Sequence, residues 1–132
     1  MFETSFTGSS KNLLDAIAVL SEHSINLNTQ ATAKVGDRFV IKFLSGSEEE
    51  EVRRMLMKAD LYYKDRPVLV VSMFNKPGQW LKVAHALVDA GIEILASYLM
   101  SQKGDTQSYV FAVSGYEGAR KICTRIAECS VD

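Results

Sequence analysis

Two cysteines occur in 132 residues, too few for the disulfide framework of a small secreted domain. Cys123 and Cys129 stand six apart on a stretch whose pattern predicts one helix, hence on different faces of it, away from bonding or ligand geometry. They are expected as reduced thiols of a cytoplasmic protein. Charge of one sign is also missing: the formal net charge is -1, which leaves no surplus of cations to neutralise a polyphosphate and disfavours nucleic acid as a partner. No apolar run approaches the ~20 residues that a membrane helix needs. "MFETSFTGSSK" has neither the basic start nor the long apolar centre of an export signal, so no membrane is expected. A Gly-x-Gly-x-x-Gly run, a phosphate loop and a nucleophile elbow are all absent, and Gly115-x-x-Gly118 alone is too little to use. His23 and His85 have no carboxylate or cysteine at ligand spacing, so no metal site, cofactor or general base is expected. No nucleophile and base pair up either, and the chain is expected not to be an enzyme.

What is present is enough apolar residue, 47% of the chain, for a core without staples. It is arranged as an internal repeat. "HSINL" at 23–27 returns as "AGIEI" at 90–94, "VGD" at 35–37 as "KGD" at 103–105, and "FLSG" at 43–46 as "AVSG" at 112–115. The offset is about 68 residues each time, the size of one small supersecondary unit and its duplicate.

The second copy carries the clearer pattern. "PVLVVSMF" is an apolar, β-branched run that predicts a strand buried on both faces. Pro77 removes a ladder donor, so the strand must stop while a helix can begin. Trp80, Leu81, Val83, Ala84, Leu87, Val88 and Ala90 follow helical spacing, which predicts Trp80 as core, and Gly91 supplies a left-handed terminator. A strand over 92–102 is expected to put Ile94, Ala96, Tyr98 and Met100 on one face. A turn at Lys103-Gly104-Asp105, a return strand with Tyr109, Phe111 and Val113, and a helix over 117–128 complete the copy.

In the first copy, Phe2 to Thr7 predicts a strand, and Ser9 or Ser10 caps a helix carrying Leu13, Leu14, Ile17, Ala18 and Leu20. A hairpin turns at Gly36-Asp37. Ser47 and Glu50 then form a capping box, and the run of four glutamates complements the helix dipole rather than holding a cation. "LYYK" predicts a fourth strand, with Asp65-Arg66-Pro67 as linker. The order β-α-β-β-α-β followed by β-α-β-β-α implies an α+β fold of two ferredoxin-like βαββαβ modules in tandem, residues 1–66 and 67–132, with antiparallel sheets and helices on one face. The second module is expected to lack its last strand, leaving that edge open, short or otherwise filled.

"NKPGQWLKVAHALVDAGIEILASYL" resembles the signature of the ACT domain, the small amino-acid-binding regulatory module of metabolic enzymes. As two modules the chain is similar to stand-alone tandem ACT proteins of the glycine cleavage system repressor type. The resemblance implies a non-enzymatic, cytoplasmic homodimer that binds an amino acid or similar metabolite at a joint between modules or subunits and acts allosterically.

The chemistry suits the corner. A free amino acid carries a carboxylate and an ammonium on one carbon, and first-turn N–H groups have no internal partner while the dipole favours an anion. Gly78 lets a ligand approach the backbone, and the Asn75 amide can donate and accept. The resemblance implies one composite site, Asn75, Lys76, Pro77, Gly78 and Gln79 with Asn26, Leu27 and Asn28 of the first copy. The reciprocal site, Gly8, Ser9, Ser10, Lys11 and Asn12 facing Ile92, Glu93 and Ile94, is expected to be degenerate or selective for a cation, because the Pro-Gly is lost from one side and Asn is replaced by Glu93 on the other. Two other classes fit the same element order: a module for protein interaction or oligomerisation with vestigial pockets, and an RNA-recognition sheet reading aromatics in "RFVIKF" or "SYVFAV".

Overall fold

The computed structural model describes residues 2–22, 29–44, 49–58 and 63–132. Asn26, Leu27 and Asn28, half of the expected composite site, lie outside the described residues, as do His23 and Ser47. The chain divides into two compact units, Phe2–Arg66 and Pro67–Asp132.

The first unit begins with strand β1 (Phe2–Gly8) and helix α1 (Ser10–Glu22). The hairpin β2 (Thr29–Val35) and β3 (Arg38–Leu44), helix α2 (Glu49–Lys58) and β4 (Lys64–Pro67) follow. The sheet order is β2-β3-β1-β4, with β3 antiparallel to both β1 and β2. Alternate residues Phe6, Ile41 and Phe43 turn to one side and meet Leu13, Ala16 and Leu20 of α1 and Val52 and Leu56 of α2. The strand period of two and the helix spacing of three or four therefore bury one shared core, each large side chain contributing about 1.5–3 kcal/mol.

The second unit repeats the plan with β5 (Leu69–Phe74), α3 (Gln79–Asp89), β6 (Ile94–Lys103), β7 (Thr106–Val113), α4 (Tyr116–Thr124) and β8 (Cys129–Val131). Its order is β6-β7-β5-β8, and all three pairings are antiparallel. Leu69, Val71, Met73 and Phe111 pack against Val83, Leu87, Ala119 and Cys123. Gly91 is left-handed at φ 78 and ends α3 as expected. Its N–H donates to the Val88 carbonyl at 2.9 Å and the Ile92 N–H to the Leu87 carbonyl at 3.0 Å, the paired bonds of a Schellman end.

As expected, a full-length last strand is missing from the second unit; the short β8 fills the edge, its three residues pairing with β5, Met73 opposite Cys129 and Val71 opposite Val131. Three expectations are corrected. The last helix stops at Thr124 instead of 128, which puts Cys129 on a strand; the otherwise bare edge of β5 offers Cys129 and Val131 ladder bonds and partial burial. Asp65, Arg66 and Pro67 are not linker but part of β4, where the Arg66 Nε donates to buried Glu3 at 2.8 Å. Finally, Trp80, expected in the core from its spacing, is 37% exposed, and its helix neighbours Leu81 and Val88 are exposed to a greater degree. The buried stripe of α3 is Gln79, Val83, Ala84 and Leu87, narrower than the sequence pattern suggests.

Candidate functional site

The corner between β5 and α3 follows from its residues. Met73 is the last buried residue of β5, and Asn75 donates its N–H to the Asp105 carbonyl at the tip of the β6–β7 hairpin, 2.6 Å away. Pro77 then supplies no donor, and Gly78 takes φ 83 as the N-cap of α3, a left-handed conformation that a side chain would strain. Its carbonyl accepts the first helical bond, from the Lys82 N–H at 3.0 Å, while the Gln79 N–H goes to the Lys76 carbonyl at 3.3 Å. No side chain caps this end. The N–H groups of Gly78, Trp80 and Leu81 have no acceptor among the described residues.

These amides face a groove of about 550 Å³ lined by residues 73–81 with Gln107 and Tyr109. Trp80 forms one wall: its ring stacks on Phe111 at 5.9 Å and 20°, and its Nε1–H donates to the Ser97 Oγ at 3.2 Å. Asn75, Lys76, Pro77 and Gly78 are all exposed here. The Lys76 ammonium is engaged by Glu128, whose carboxyl is held below its usual range first by that hydrogen bond and then by the Lys76 charge. Gln79 behaves differently from its neighbours. It is 2% exposed, and its Nε2 points away toward the Ala127 carbonyl and the Cys129 Sγ, each at 3.4 Å. Glu128 and Cys129 are residues that sequence reasoning did not attach to this corner; they lie about fifty positions away, and no local pattern signals such a contact.

The corresponding corner of the first unit carries a side-chain cap. The Asn12 N–H donates to the Ser9 Oγ at 3.3 Å, and the Asn12 Oδ1 accepts from the Ser9 N–H at 3.1 Å and the Ser9 hydroxyl at 2.7 Å. Gly8 is buried beneath this pair; a Cβ on it would fall 2.9 Å from the Asn12 Cβ. Ser10, Lys11 and Asn12 are exposed, but the cap that Asn12 and Ser9 make satisfies donors that a ligand would need. In the second unit, Ile92 and Ile94 pack on the core. Glu93 is exposed and exchanges backbone bonds with Ser114, its N–H to the Ser114 Oγ at 2.9 Å and its carbonyl from the Ser114 N–H at 3.0 Å.

With four antiparallel strands in the order 2-3-1-4 and two helices on one face, repeated in each unit, the architecture is decided. The fold is that of a tandem ACT-like protein. No family model matches the sequence, and no curated protein matches it. Among solved structures, protein BT0572 from Bacteroides thetaiotaomicron is 19% identical, with a TM-score of 0.86 over 99% of this chain and 90% of that one. The ligand-free regulatory subunit of aspartate kinase from Thermus thermophilus is 16% identical, with a TM-score of 0.64 over 92% and 89%. The same subunit from Thermus flavus is 15% identical, with a TM-score of 0.59 over 89% and 86%. These likenesses establish the ACT-like fold, and the site stands on its own geometry. Among the described residues no group of His, Cys, Asp or Glu could hold a metal, and no helix is long and apolar enough to cross a membrane.

Proposed function

We propose that the protein is a non-enzymatic, ligand-sensing regulator whose ligand is an amino acid, with the carboxylate taken by the open first turn of α3. The observation that carries this reading is the trio of unpartnered N–H groups at Gly78, Trp80 and Leu81, opening on a groove with an aromatic wall. Backbone donors at a helix start are preorganised for a carboxylate and add the positive end of the dipole. The exposed Asn75 amide stands beside them to bond the ligand's polar groups. Solved structures of the same fold include regulatory subunits of an amino-acid kinase, which agrees with sensing rather than catalysis.

In this reading the site is the corner of the second unit, Asn75 to Gly78, and the 8–12 loop forms no second one. A ligand there signals only through a difference in affinity between two states of the protein. Calorimetric titration with the common amino acids, alongside thermal shift, tests it. One strong site per chain is expected; no heat and no shift at saturation, across the whole set, refutes it.

Oligomerisation alone is a second reading. Leu14 on α1, and Trp80, Leu81 and Val88 on α3 with Leu95 and Leu99 on β6, are exposed apolar side chains, and such patches mark interaction surfaces. Sedimentation of the full chain with and without amino acids separates the two, since an adaptor's mass and stability ignore them. The RNA-recognition reading loses its basis: Phe43, Tyr109 and Phe111 pack toward the helices, whereas a base-stacking sheet needs its aromatics on the other face.

A further inference from the structure

Besides the β6–β7 hairpin, which Asn75 and Trp80 reach, the corner is tied to the segment before β8. Two side chains run from it to the segment leading into β8: Lys76 pairs with Glu128, and the buried Gln79 Nε2 reaches the Ala127 carbonyl and the Cys129 Sγ. β8 itself is short: three residues pair with β5, the Asp132 N–H donates to the Val70 carbonyl at 3.0 Å, the Arg120 Nη1 donates to the Asp132 carbonyl at 2.8 Å, and Cys129 and Val131 pack on the core. It is entered through Glu128, a non-glycine residue at φ 66, a left-handed conformation that persists only where the surroundings enforce it. A hollow of about 250 Å³ lies beside this ladder, lined by Ser72, Met73, Phe74 and Thr106 with residues 128–130.

We propose that β8 is a strap, latched to the Pro77-Gly78 corner by Gln79 and Glu128, whose release bares the edge of β5. The latch works because Gln79 is the first residue of α3, between the Gly78 and Trp80 N–H groups. Any movement of that turn shifts its side-chain amide against Ala127 and Cys129, and an anion drawing on Lys76 competes with Glu128. The use of the strap as an output rests on the ligand reading above; the latch itself does not. Uncovering β5 between Val71 and Met73 exposes unpaired ladder groups, the state in which a sheet edge accepts another strand.

Hydrogen exchange on the full chain tests this in the wild type, Gln79→Leu, Lys76→Met and the control Gly91→Ala. Each latch variant is expected to speed exchange over residues 129–132 by roughly three- to tenfold, the change that loss of one hydrogen bond gives, while β6 and β7 keep their rates. Gly91→Ala is expected to show no such selectivity. Should Gln79→Leu unfold the unit, Lys76→Met, an exposed position, reads the latch alone. Unchanged exchange at 129–132, or a uniform rise across β5 to β8, overturns the strap. Selective release with no amino-acid heat in calorimetry leaves the strap standing and removes the ligand reading; heat without selective release does the reverse.

Discussion

Ser9 and Asn12 close on each other through hydrogen bonds of 2.7, 3.1 and 3.3 Å, whereas the equivalent turn at Gly78 has no side-chain cap at all. The two copies of one motif thus differ at the third helical residue: in the first unit the Asn12 N–H is taken by the Ser9 hydroxyl, and in the second the Leu81 N–H has no acceptor among the described residues. That difference, more than the presence of a Pro-Gly, is what makes one corner a candidate site. Asn12→Ala is expected to lower stability by about 1 kcal/mol in urea unfolding and to leave amino-acid heats unchanged. Loss of binding in this variant would move the site to the first unit.

Gly78→Ala adds a Cβ that meets nothing within 4 Å, so its cost is backbone strain, about 1–2 kcal/mol for a left-handed alanine. The same methyl stands where a carboxylate would approach the amides. Calorimetry is expected to show binding weakened at least about tenfold while circular dichroism stays native. Full-strength binding would put the ligand elsewhere.

The Glu128 carboxyl is held low by Lys76. A lowered folded-state value means that the contribution of the pair is present above the unfolded pKa and disappears as pH falls through the folded one. Carbon-detected NMR should show Glu128 titrating below the usual glutamate range, and Lys76→Met should return it toward that range. A Glu128 that titrates in the usual range in the wild type would show the pair to be absent in solution.

Burial raises the Cys123 thiol from 9.0 to about 11, with the neighbouring Cys129 adding to it. Because the folded value lies above the unfolded one, the stabilisation is complete below pH 9 and is lost as pH climbs toward 11, up to roughly 2–3 kcal/mol in all. Iodoacetamide at pH 8 is expected to label Cys129 well ahead of Cys123, which is 0% exposed. Equal rates would mean that the α4 core opens readily.

Glu3 has a fully buried side chain in the first unit, 2.8 Å from the Arg66 Nε and 3.9 Å from the Lys42 Nζ. Glu3→Ala leaves two cations without their acceptor, and a loss of about 2–4 kcal/mol is expected from denaturant unfolding. A change below 0.5 kcal/mol would show that solvent already serves Arg66 and Lys42.

Much of the architecture was readable because its signals are local. Alternation at Leu69, Val71 and Met73, helical spacing at Val83 and Leu87, the Gly91 terminator and the Gly36-Asp37 turn each depend on neighbours within one or two turns of chain. The errors fall where a residue answers to something far along the sequence. Trp80 matches the apolar stripe but lies on its flank, because Phe111 and Ser97 hold the ring at the rim of the sheet. Residues 125–128 fall within the expected helix, yet the chain leaves it after Thr124 and the edge of β5 takes Cys129 and Val131 into a ladder. Gln79, expected beside the ligand, sends its side-chain amide to Ala127 and Cys129.

By itself the sequence determined a duplicated α+β plan, its helix and strand order, and a proline-glycine break before α3, since periodicity and backbone stereochemistry act over a few residues. Only the tertiary structure decided that the Gly78 turn has no side-chain cap while Asn12 and Ser9 cap theirs, and that Glu128 and Gln79 bind the corner to β8. Those outcomes depend on which groups arrive within three or four ångströms of one another. Contacts between residues some fifty positions apart leave no mark in the local pattern of either partner.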